Sequence, residues 1–426
     1  MKKVLLITYY WPPSGGSGVQ RWLNFTKYLK DFDIDPVVYT VSNPNYAIQD
    51  TSLREPDGIT VIRQPIWEPY NMASFLSGKS AKQTSSGFLE QSNSIKSKLV
   101  NYIRANYFIP DARKFWIKPS VKYLKKYLQE NNIDTIITSG PPHSLHLIGL
   151  ALKTQLNLKW IADFRDPWTQ IDYFHKLPFS KWALQKQHRL EQKVVQNADS
   201  ILVVSSTMKD FYGTFNKNVS VITNGFDSVT EKHDVILDAA FTITHIGLLN
   251  ADRNHAIFWQ VLRELIDENT AFKESVRVKL IGKVSVEVTQ SVATYNLESY
   301  VDFIDYVSHD KVAKLQQSAQ VLFLPVNNVP SAKGIITGKI FEYLLAKRPI
   351  LAIAPVNGDL AKIITKTNAG KLVGFEDKKK LKSVLVTYFE AYQKGALVSD
   401  VKGLEDYHAK NITKKIAELI QKVSLK

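Results

Sequence analysis

Residues 333–353 contain the most informative candidate ligand-binding residues of this sequence. Thr337, Gly338 and Lys339 lie at the predicted start of a short helix, where backbone N–H groups and an ammonium group stabilise a bound anion. Glu342 follows about one turn later and could accept hydrogen bonds from hydroxyl groups of the same ligand. A ligand that carries both phosphate and hydroxyl groups is typically a nucleotide. The alternative interpretation is an ordinary αβ unit whose glycine merely opens a helix.

A second group of candidate residues follows the first predicted strand, 4–8. Residues 9–21 read Tyr-Tyr-Trp-Pro-Pro-Ser-Gly-Gly-Ser-Gly-Val-Gln-Arg. Gly15 and Gly16 would let the backbone approach a ligand closely, and Arg21 lies on the first turn of the next predicted helix. The spacing fits neither the G-x-G-x-x-G dinucleotide fingerprint nor the phosphate-binding P-loop.

Polar and aromatic side chains also follow two later predicted strands. His143 comes after Ser-Gly-Pro-Pro at the end of one strand, and Asp163, Arg165 and Asp166 come at the end of the next. The carboxyl ends of parallel strands meet at one edge of a sheet, where ligands bind. Charges are costly to bury there unless they are paired or contact a ligand. Ion pairing within the chain is therefore the alternative to a functional role.

These residues require a framework that brings strand ends together. The sequence alternates short apolar strands with amphipathic helices throughout, which is typical of parallel α/β layers. We predict two Rossmann-like doubly wound domains that face a cleft, at residues 1–227 and 241–403. The polar stretch 228–240 is predicted to be the linker. A terminal helix at 404–426 closes the chain and is expected to cross back to the amino-terminal domain.

Length and composition restrict the class of protein. A chain of 426 residues with 44% hydrophobic residues can form two or three domains with real cores. It has no cysteine, which excludes disulfides and thiolate metal sites and fits a reducing compartment. Residues 1–20 lack the order of a signal peptide, and no stretch approaches the roughly 18 apolar residues of a membrane-spanning helix. We therefore expect a soluble cytoplasmic protein.

The net charge of +15 indicates an anionic partner. Residues 71–130 hold eleven Lys and Arg against three acidic residues, and the aromatic residues among them include Tyr107, Phe108, Phe115 and Trp116. This mixture suits an anionic membrane surface or a nucleic acid. No recognised nucleic-acid-binding module is present, so we do not expect a nucleic-acid partner. A solvated lysine-rich surface is the plain alternative.

Taken together, these segments resemble glycosyltransferases of the GT-B fold, in the large retaining group called family four. The resemblance covers nearly the whole chain. It includes the Pro-Pro-x-Gly-Gly loop with Arg21 and the Ser-Gly-Pro-Pro-His segment that ends at His143. It also includes Ala-Asp-Phe-Arg-Asp-Pro-Trp at 162–168, Thr-Asn-Gly-Phe-Asp at 223–227 and Gly-Lys-Ile-Phe-Glu-Tyr-Leu at 338–344.

The resemblance implies a nucleotide-sugar donor on the carboxyl-terminal domain and an acceptor on the amino-terminal domain. The implied donor contacts are Gly15, Gly16, Gly247, Arg253, Ile304, Asp305, Thr337, Gly338, Lys339 and Glu342. Glu342 matches the family glutamate that holds the ribose hydroxyls. Two positions depart from the family pattern: Leu248 replaces an arginine, and Gly334 replaces the first glutamate, so the identity of the sugar is not implied.

The implied chemistry follows from charge that develops as the glycosidic bond breaks. Negative charge grows on the diphosphate oxygen, where Arg253, Lys339 and the helix dipole would stabilise it. We therefore expect no metal or other cofactor. The resemblance also implies retention of configuration. The remaining implied roles are catalytic for His143, Asp163 and Arg165, and on the acceptor side for Arg21 and Asp166.

Two other classes of function remain open. A nucleotide-sugar epimerase shares the two-domain shape but needs carboxylates as general acid and base, which Asp163 or Asp166 could supply. A protein that binds nucleic acid or a membrane surface without catalysis would explain the charge. The partners we expect are a nucleotide sugar, a glycan or lipid-linked saccharide acceptor, and an anionic membrane surface that contacts residues 71–130 from the cytoplasmic side.

Overall fold

The computed structural model describes residues 1–46, 48–68, 95–227, 235–307 and 309–425. The chain divides into two compact units. Met1–Gly225 and His408–Lys426 form the amino-terminal unit, and Phe226–Tyr407 forms the carboxyl-terminal unit. The predicted linker, 228–240, lies partly outside the described residues.

The amino-terminal unit contains one parallel sheet. Its strands are β1 (Lys2–Ile7), β2 (Ile34–Val41), β3 (Thr60–Gln64), β4 (Thr135–Gly140), β5 (Lys159–Phe164), β6 (Ser200–Val203) and β7 (Val219–Val221). Their order is β3-β2-β1-β4-β5-β6-β7, and every pairing is parallel. The chain builds outward from β1 to β3 and then resumes at β4 on the other side of β1. This change of direction leaves a crevice at the carboxyl ends of β1 and β4.

Helices cover both faces of this sheet. They are α1 (Ser17–Leu29), α2 (Ile95–Tyr107), α3 (Ile117–Glu130), α4 (Ser144–Leu156), α5 (Lys181–Asn197) and α6 (Ser206–Gly213). The sequence pattern did not predict α6. Trp116 was expected at the basic surface, but it is buried and its ring stacks on Tyr39 with 5.0 Å between centroids. Its large apolar ring therefore contributes to the core, and the prediction for this residue is wrong.

The carboxyl-terminal unit repeats the arrangement with six strands. They are β8 (Phe241–Ile246), β9 (Val276–Ile281), β10 (Val301–Ile304), β11 (Val321–Pro325), β12 (Ile350–Ile353) and β13 (Gly370–Val373). Their order is β10-β9-β8-β11-β12-β13, so the direction changes between β8 and β11. The sequence pattern did not predict β13. Its first residue must be glycine, because an added Cβ would lie 2.0 Å from the carbonyl oxygen of Ile350.

The helices of this unit again lie on both faces of the sheet. They are α7 (Ala256–Glu268), α8 (Thr270–Ser275), α9 (Val286–Thr294), α10 (His309–Ser318), α11 (Lys339–Ala346), α12 (Asp359–Thr367) and α13 (Lys378–Gln393). One hydrophobic cluster contains the apolar side of α7, and another contains that of α11. The predicted class, two doubly wound α/β units, is therefore confirmed.

The last helix, α14 (Ala409–Ser424), belongs to the amino-terminal unit. Ile412, Ile416 and Ile420 recur every four residues on its buried side and join the cluster that contains Trp22 and Phe25 of α1. The prediction that the terminal helix crosses back is thus confirmed. Among the described residues, no helix is both long enough and apolar enough to traverse a lipid bilayer.

Candidate functional site

Two glycines at neighbouring strand ends of the carboxyl-terminal unit allow close packing: Gly282 against Gly247, and Gly247 against a lysine side chain. Gly247, directly after β8, has φ +114°, and an added Cβ would lie 2.6 Å from Cε and 3.0 Å from Nζ of Lys339. Gly282, directly after β9, has φ +110°, and its added Cβ would lie 3.0 Å from the Gly247 carbonyl oxygen. Both positions require glycine for backbone conformation and for space. The lysine side chain therefore passes directly over the end of β8.

Lys339 and Arg253 form a cationic pair at this strand end. Burial and repulsion from Arg253, partly offset by Glu342, lower the pKa of Lys339 from 10.5 to about 8. The guanidinium of Arg253 is held by Asn327 and Leu248: Nε donates to Asn327 Oδ1 at 2.5 Å, and Nη1 donates to the Leu248 carbonyl at 3.0 Å. A lysine held beside a second cation, at a cost to its own charged form, is typical of a site for a polyanion.

Glu342 lies in the first turn of α11, beyond Lys339. Buried Gln316 of α10 donates its Nε2 to Glu342 Oε2 at 3.0 Å, which orients the carboxylate. Sequence reasoning missed both Gln316 and Asn327. The position of Asn327, two residues after β11, is the kind of signal that could have identified it, because strand ends line sites in this class of sheet.

Two buried aromatic residues support this strand end. His245 Nδ1 donates to the Phe323 carbonyl of β11 at 3.0 Å, and Tyr343 of α11 accepts from the Ile246 amide at 3.2 Å. Burial, together with repulsion from Lys339 and Arg253, lowers the pKa of His245 to about 3. The imidazole is therefore neutral at physiological pH. These contacts join β8, β11 and α11 into one rigid edge.

The other predicted donor residues of the carboxyl-terminal unit lie around the same edge. Thr337 Oγ1 accepts from the Lys339 amide at 3.4 Å, and Gly338 directly precedes α11. Ile304 accepts from the Gly282 amide at 2.8 Å, and the next residue, Asp305, is exposed. A continuous run of contacts therefore leads from Ile304 through the two strand-end glycines to Lys339.

In the amino-terminal unit, two predicted site residues, Arg21 and Asp163, form a buried ion pair with each other. Arg21 donates from Nε and Nη2 to Asp163, from Nη2 to Ile222 O, and from Nη1 to Thr223 O and Asn224 Oδ1, at 2.9–3.3 Å. All five of its N–H donors therefore have partners. Both side chains of the Arg21–Asp163 ion pair are fully buried. We correct the predicted acceptor-side role of Arg21, since it has no donor left for a ligand.

Asp163 is equally engaged. Besides the arginine, it accepts from Trp22 Nε1 at 2.6 Å and from Ser139 Oγ at 2.8 Å. A carboxylate that is buried and accepts four or more hydrogen bonds holds neighbouring elements together and has little capacity for proton transfer. The structure therefore does not fit the predicted catalytic role of Asp163. Among the described residues, no group of three or more His, Asp or Glu side chains is arranged to hold a metal ion.

His143 lies at the start of α4 against an aromatic wall. Its ring stacks on Trp168 with 4.8 Å between centroids and 5° between planes. Burial, together with repulsion from His146 and Arg165, lowers its pKa well below the ordinary value. The His143 Nδ1 and His146 Nε2 atoms have no hydrogen-bond partner within the described part of the chain. His143 is therefore a neutral, packed imidazole at the carboxyl end of β4.

Arg165 connects the loop after β5, which contains Asp166, to the first turn of α1. Arg165 Nη1 donates to the Gly18 carbonyl at 2.7 Å, and Nη2 donates to Asp166 Oδ2 at 3.2 Å. The Asp166 side chain remains 45% exposed. In the loop after β1, Gly16 has φ +81°, while an added Cβ on Gly15 would lie 2.8 Å from the side chain of Ile48. Gly15 thus serves packing within the chain.

Comparisons with known proteins agree with this architecture. Residues 84–229 match the sequence profile of glycosyltransferase family 4. None of the curated proteins matches the sequence significantly. Sucrose-phosphate synthase from Thermosynechococcus elongatus is similar in structure, with 14% identity, a TM-score of 0.63 and coverage of 100% of both chains. HepE from Anabaena in complex with UDP has 15% identity and a TM-score of 0.64, covering 99% of this chain and 100% of that chain.

The similarity also includes a protein assigned as a UDP-N-acetylglucosamine 2-epimerase from Listeria monocytogenes. That structure has 10% identity and a TM-score of 0.53, and the alignment covers 99% of this chain and 96% of that chain. Together the comparisons confirm the GT-B fold and the predicted resemblance to group 1 glycosyltransferases. At these identities, structural similarity defines the fold, so the reaction must be argued from the residues.

Proposed function

We propose that this chain is a glycosyltransferase that moves a sugar from a nucleotide-sugar donor to a hydroxyl acceptor. The observation that carries the proposal is the Lys339–Arg253 pair over the glycine-lined end of β8, with Glu342 one helical turn beyond. Cations suit a diphosphate, and an oriented carboxylate suits ribose hydroxyls. The family 4 match and the UDP complex of HepE support this class of donor.

In the proposed reaction, the bond between the anomeric carbon and the diphosphate oxygen breaks. The acceptor hydroxyl oxygen forms the new bond from the same face, so configuration is retained, and its proton passes to a phosphate oxygen. The products are a glycoside and a nucleoside diphosphate. Lys339, Arg253 and the amino-terminal end of α11 stabilise the charge on the leaving oxygen. Because these groups supply the positive charge, we propose a reaction that needs no metal.

The acceptor is assigned to the amino-terminal unit, as in the resembled family. We propose a lipid-linked saccharide or another cell-surface glycan precursor, used at the cytoplasmic face of the membrane. The net charge of +15 and the exposed lysines of α3, Lys118, Lys122 and Lys125, support an anionic surface as the location of the acceptor.

The hydrogen bonds and ion pairs of the two candidate carboxylates, Asp163 and Asp166, argue against an epimerase. Asp163 is buried and saturated with hydrogen bonds, and Asp166 is paired with Arg165. An epimerase needs a general acid and base that can exchange protons with the sugar. The transferase mechanism needs no such pair, because the diphosphate itself takes the proton.

The test is a donor screen with and without acceptor. The purified chain is incubated with UDP-, GDP- and ADP-sugars in EDTA, with or without a lipid-linked saccharide extract, and nucleoside diphosphate release is measured. A transferase releases it faster when acceptor is present. Conversion of the donor sugar without acceptor would identify an epimerase, and abolition of turnover by EDTA would overturn the metal-free mechanism. No thermal stabilisation by any nucleoside diphosphate would contradict the proposed site.

The carboxylate of Glu342 gives a first specific prediction. Glu342→Ala should weaken binding of the preferred nucleoside diphosphate by roughly tenfold to a hundredfold, because a hydrogen bond to a charged group is lost. Titration calorimetry measures the affinity directly. Glu274→Ala, at an exposed position of the same unit, is the matched control and should bind normally. Unchanged affinity in a folded Glu342 variant would remove the ribose contact from the proposal.

The lowered pKa of Lys339 predicts a pH dependence of donor binding. With a pKa of about 8, the free lysine is mostly charged near pH 7 and mostly neutral near pH 9. A bound diphosphate favours the charged form, so affinity should fall as pH rises through about 8, by up to about tenfold near pH 9. Lys339→Arg keeps its charge over this range and should give a flat profile. A flat wild-type profile would show that the diphosphate does not contact this ammonium group.

A further inference from the structure

The tryptophans of this chain differ sharply in exposure. All eight lie in the described part of the chain, and six are buried. Trp67, which follows β3, is 52% exposed, and Trp182, in the first turn of α5, is 61% exposed. Both belong to the amino-terminal unit. Large aromatic side chains left in solvent indicate an interaction surface when they are part of a contiguous patch.

Each exposed tryptophan packs against a ring or a lysine, and the two groups interact electrostatically through Lys114 and Lys186. Trp67 packs edge-to-face on Phe115, with 4.6 Å between centroids, and the Lys114 ammonium lies 5.2 Å from the Phe115 ring centre. Lys186 lies 4.6 Å from the ring centre of Trp182. Lys186 is also close enough to Lys114 to add to the effect of burial in lowering its pKa. We name this set the aromatic–basic surface; its members are Trp67, Tyr107, Phe108, Lys114, Phe115, Trp182 and Lys186.

Helix α2 extends this surface with an apolar stripe. Val100, Ile103 and Tyr107 recur at the spacing that places them on one side of a helix, and they are 60%, 40% and 66% exposed. Near its carboxyl end, α2 is attached by a hydrogen bond to the residue that precedes α5: the side chain of Asn106 accepts from the Ser180 amide at 2.7 Å. Amphipathic helices of globular proteins normally turn their apolar side inward. In α2, by contrast, a substantial part of the apolar side faces solvent.

Charge and side-chain chemistry together identify the partner. Residues 95–110 and 180–190 each contain three Lys or Arg residues and no acidic residue, so the partner is anionic. Single-stranded nucleic acids bind basic grooves and stack on aromatic rings, but they provide no partner for exposed aliphatic side chains such as Leu99, Val100 and Ile103. Tryptophan, aliphatic residues and lysine in one surface are typical of segments that lie in the membrane interface.

We propose that the aromatic–basic surface and the exposed stripe of α2 dock on an anionic lipid bilayer. Trp67 and Trp182 lie at the level of the headgroups, and the aliphatic side chains of α2 enter the outermost acyl region. The proposal deepens the proposed function, because it rests on the membrane location of its acceptor, but its test involves no sugar transfer. It differs from attraction by charge alone, since apolar insertion resists salt while surface electrostatics is screened.

The test uses the full-length chain and brominated phosphatidylcholine vesicles with or without phosphatidylglycerol. Because six tryptophans are buried, quenching of tryptophan fluorescence by the brominated chains reports mainly on Trp67 and Trp182. Quenching is expected with phosphatidylglycerol at about 0.1 M NaCl. It should persist in part at about 1 M, where the Debye length falls to roughly 3 Å. No quenching under any of these conditions would overturn the proposal.

Variants separate insertion from simple attraction. Trp182→Ala and the double variant Val100→Ser with Ile103→Ser should each weaken vesicle binding by about tenfold or more. The matched control is Val286→Ser, which changes a valine of similar exposure in the carboxyl-terminal unit. Thermal stabilisation by a nucleoside diphosphate should be unchanged in all three, which confirms folding and tests the proposed function separately. Vesicle binding that is unaffected by the apolar variants and lost completely at high salt would overturn insertion.

Discussion

Lys339→Met is expected to lower kcat by about a hundredfold to a thousandfold, the effect of removing one preorganised group that stabilises charge in a transition state. The donor KM should rise much less, by about tenfold. The difference arises because the diphosphate carries more charge on its leaving oxygen in the transition state than in the bound donor. Lys339 Nζ lies 3.0 Å from the position that a Cβ on Gly247 would occupy, so in the proposed site the ammonium would lie beside that oxygen.

Steady-state kinetics with the donor from the screen measures both constants. Lys333→Met is the matched control, because Lys333 is an exposed lysine six positions earlier, and it should behave as wild type. A loss confined to donor affinity, with turnover of the bound complex unaffected, would assign Lys339 to ground-state binding and contradict a role in leaving-group stabilisation.

Arg21→Met is expected to destabilise the amino-terminal unit by about 3–5 kcal/mol, because it leaves the buried Asp163 carboxylate without its cation. For a unit of this size, that corresponds to a Tm lower by roughly 6–20 °C. The neighbouring donors Trp22 and Ser139 satisfy part of the carboxylate but cannot neutralise its charge. Calorimetry of the purified variant gives the shift.

The control for this prediction is an exposed ion pair of the same unit. Lys410 and Asp31 lie 2.7 Å apart with both side chains about half exposed, so Asp31→Asn should cost less than about 1 kcal/mol. Nucleoside diphosphate binding, which is assigned to the carboxyl-terminal unit, should persist in both variants. A wild-type Tm for Arg21→Met, combined with a loss of acceptor use, would restore the acceptor-side role that the sequence suggested.

The local pattern of apolar and polar residues was enough to predict most of the strands and helices. The apolar strands and amphipathic helices follow from side-chain periodicity, which can be read from the sequence without knowledge of the fold. Three elements were missed for physical reasons: α6 has few apolar positions in eight residues, α8 has only six residues, and β13 is a four-residue edge strand that begins with glycine. The candidate anion-binding segment around Lys339 could also be predicted, because its loop, helix start and strand are consecutive in the chain.

The roles of individual charged and aromatic residues were decided by tertiary structure. Arg21 and Asp163 are 142 positions apart and become a buried pair because α1 and the end of β5 converge in the sheet order. Trp116 and Trp182 both lie within two residues of a preceding lysine in the sequence, yet one is in the core and the other is in solvent. A residue's type and spacing determine which interactions it can make. Which of them it does make depends on distant segments that the fold brings beside it, and those partners decide whether a charge is paired or left for a ligand.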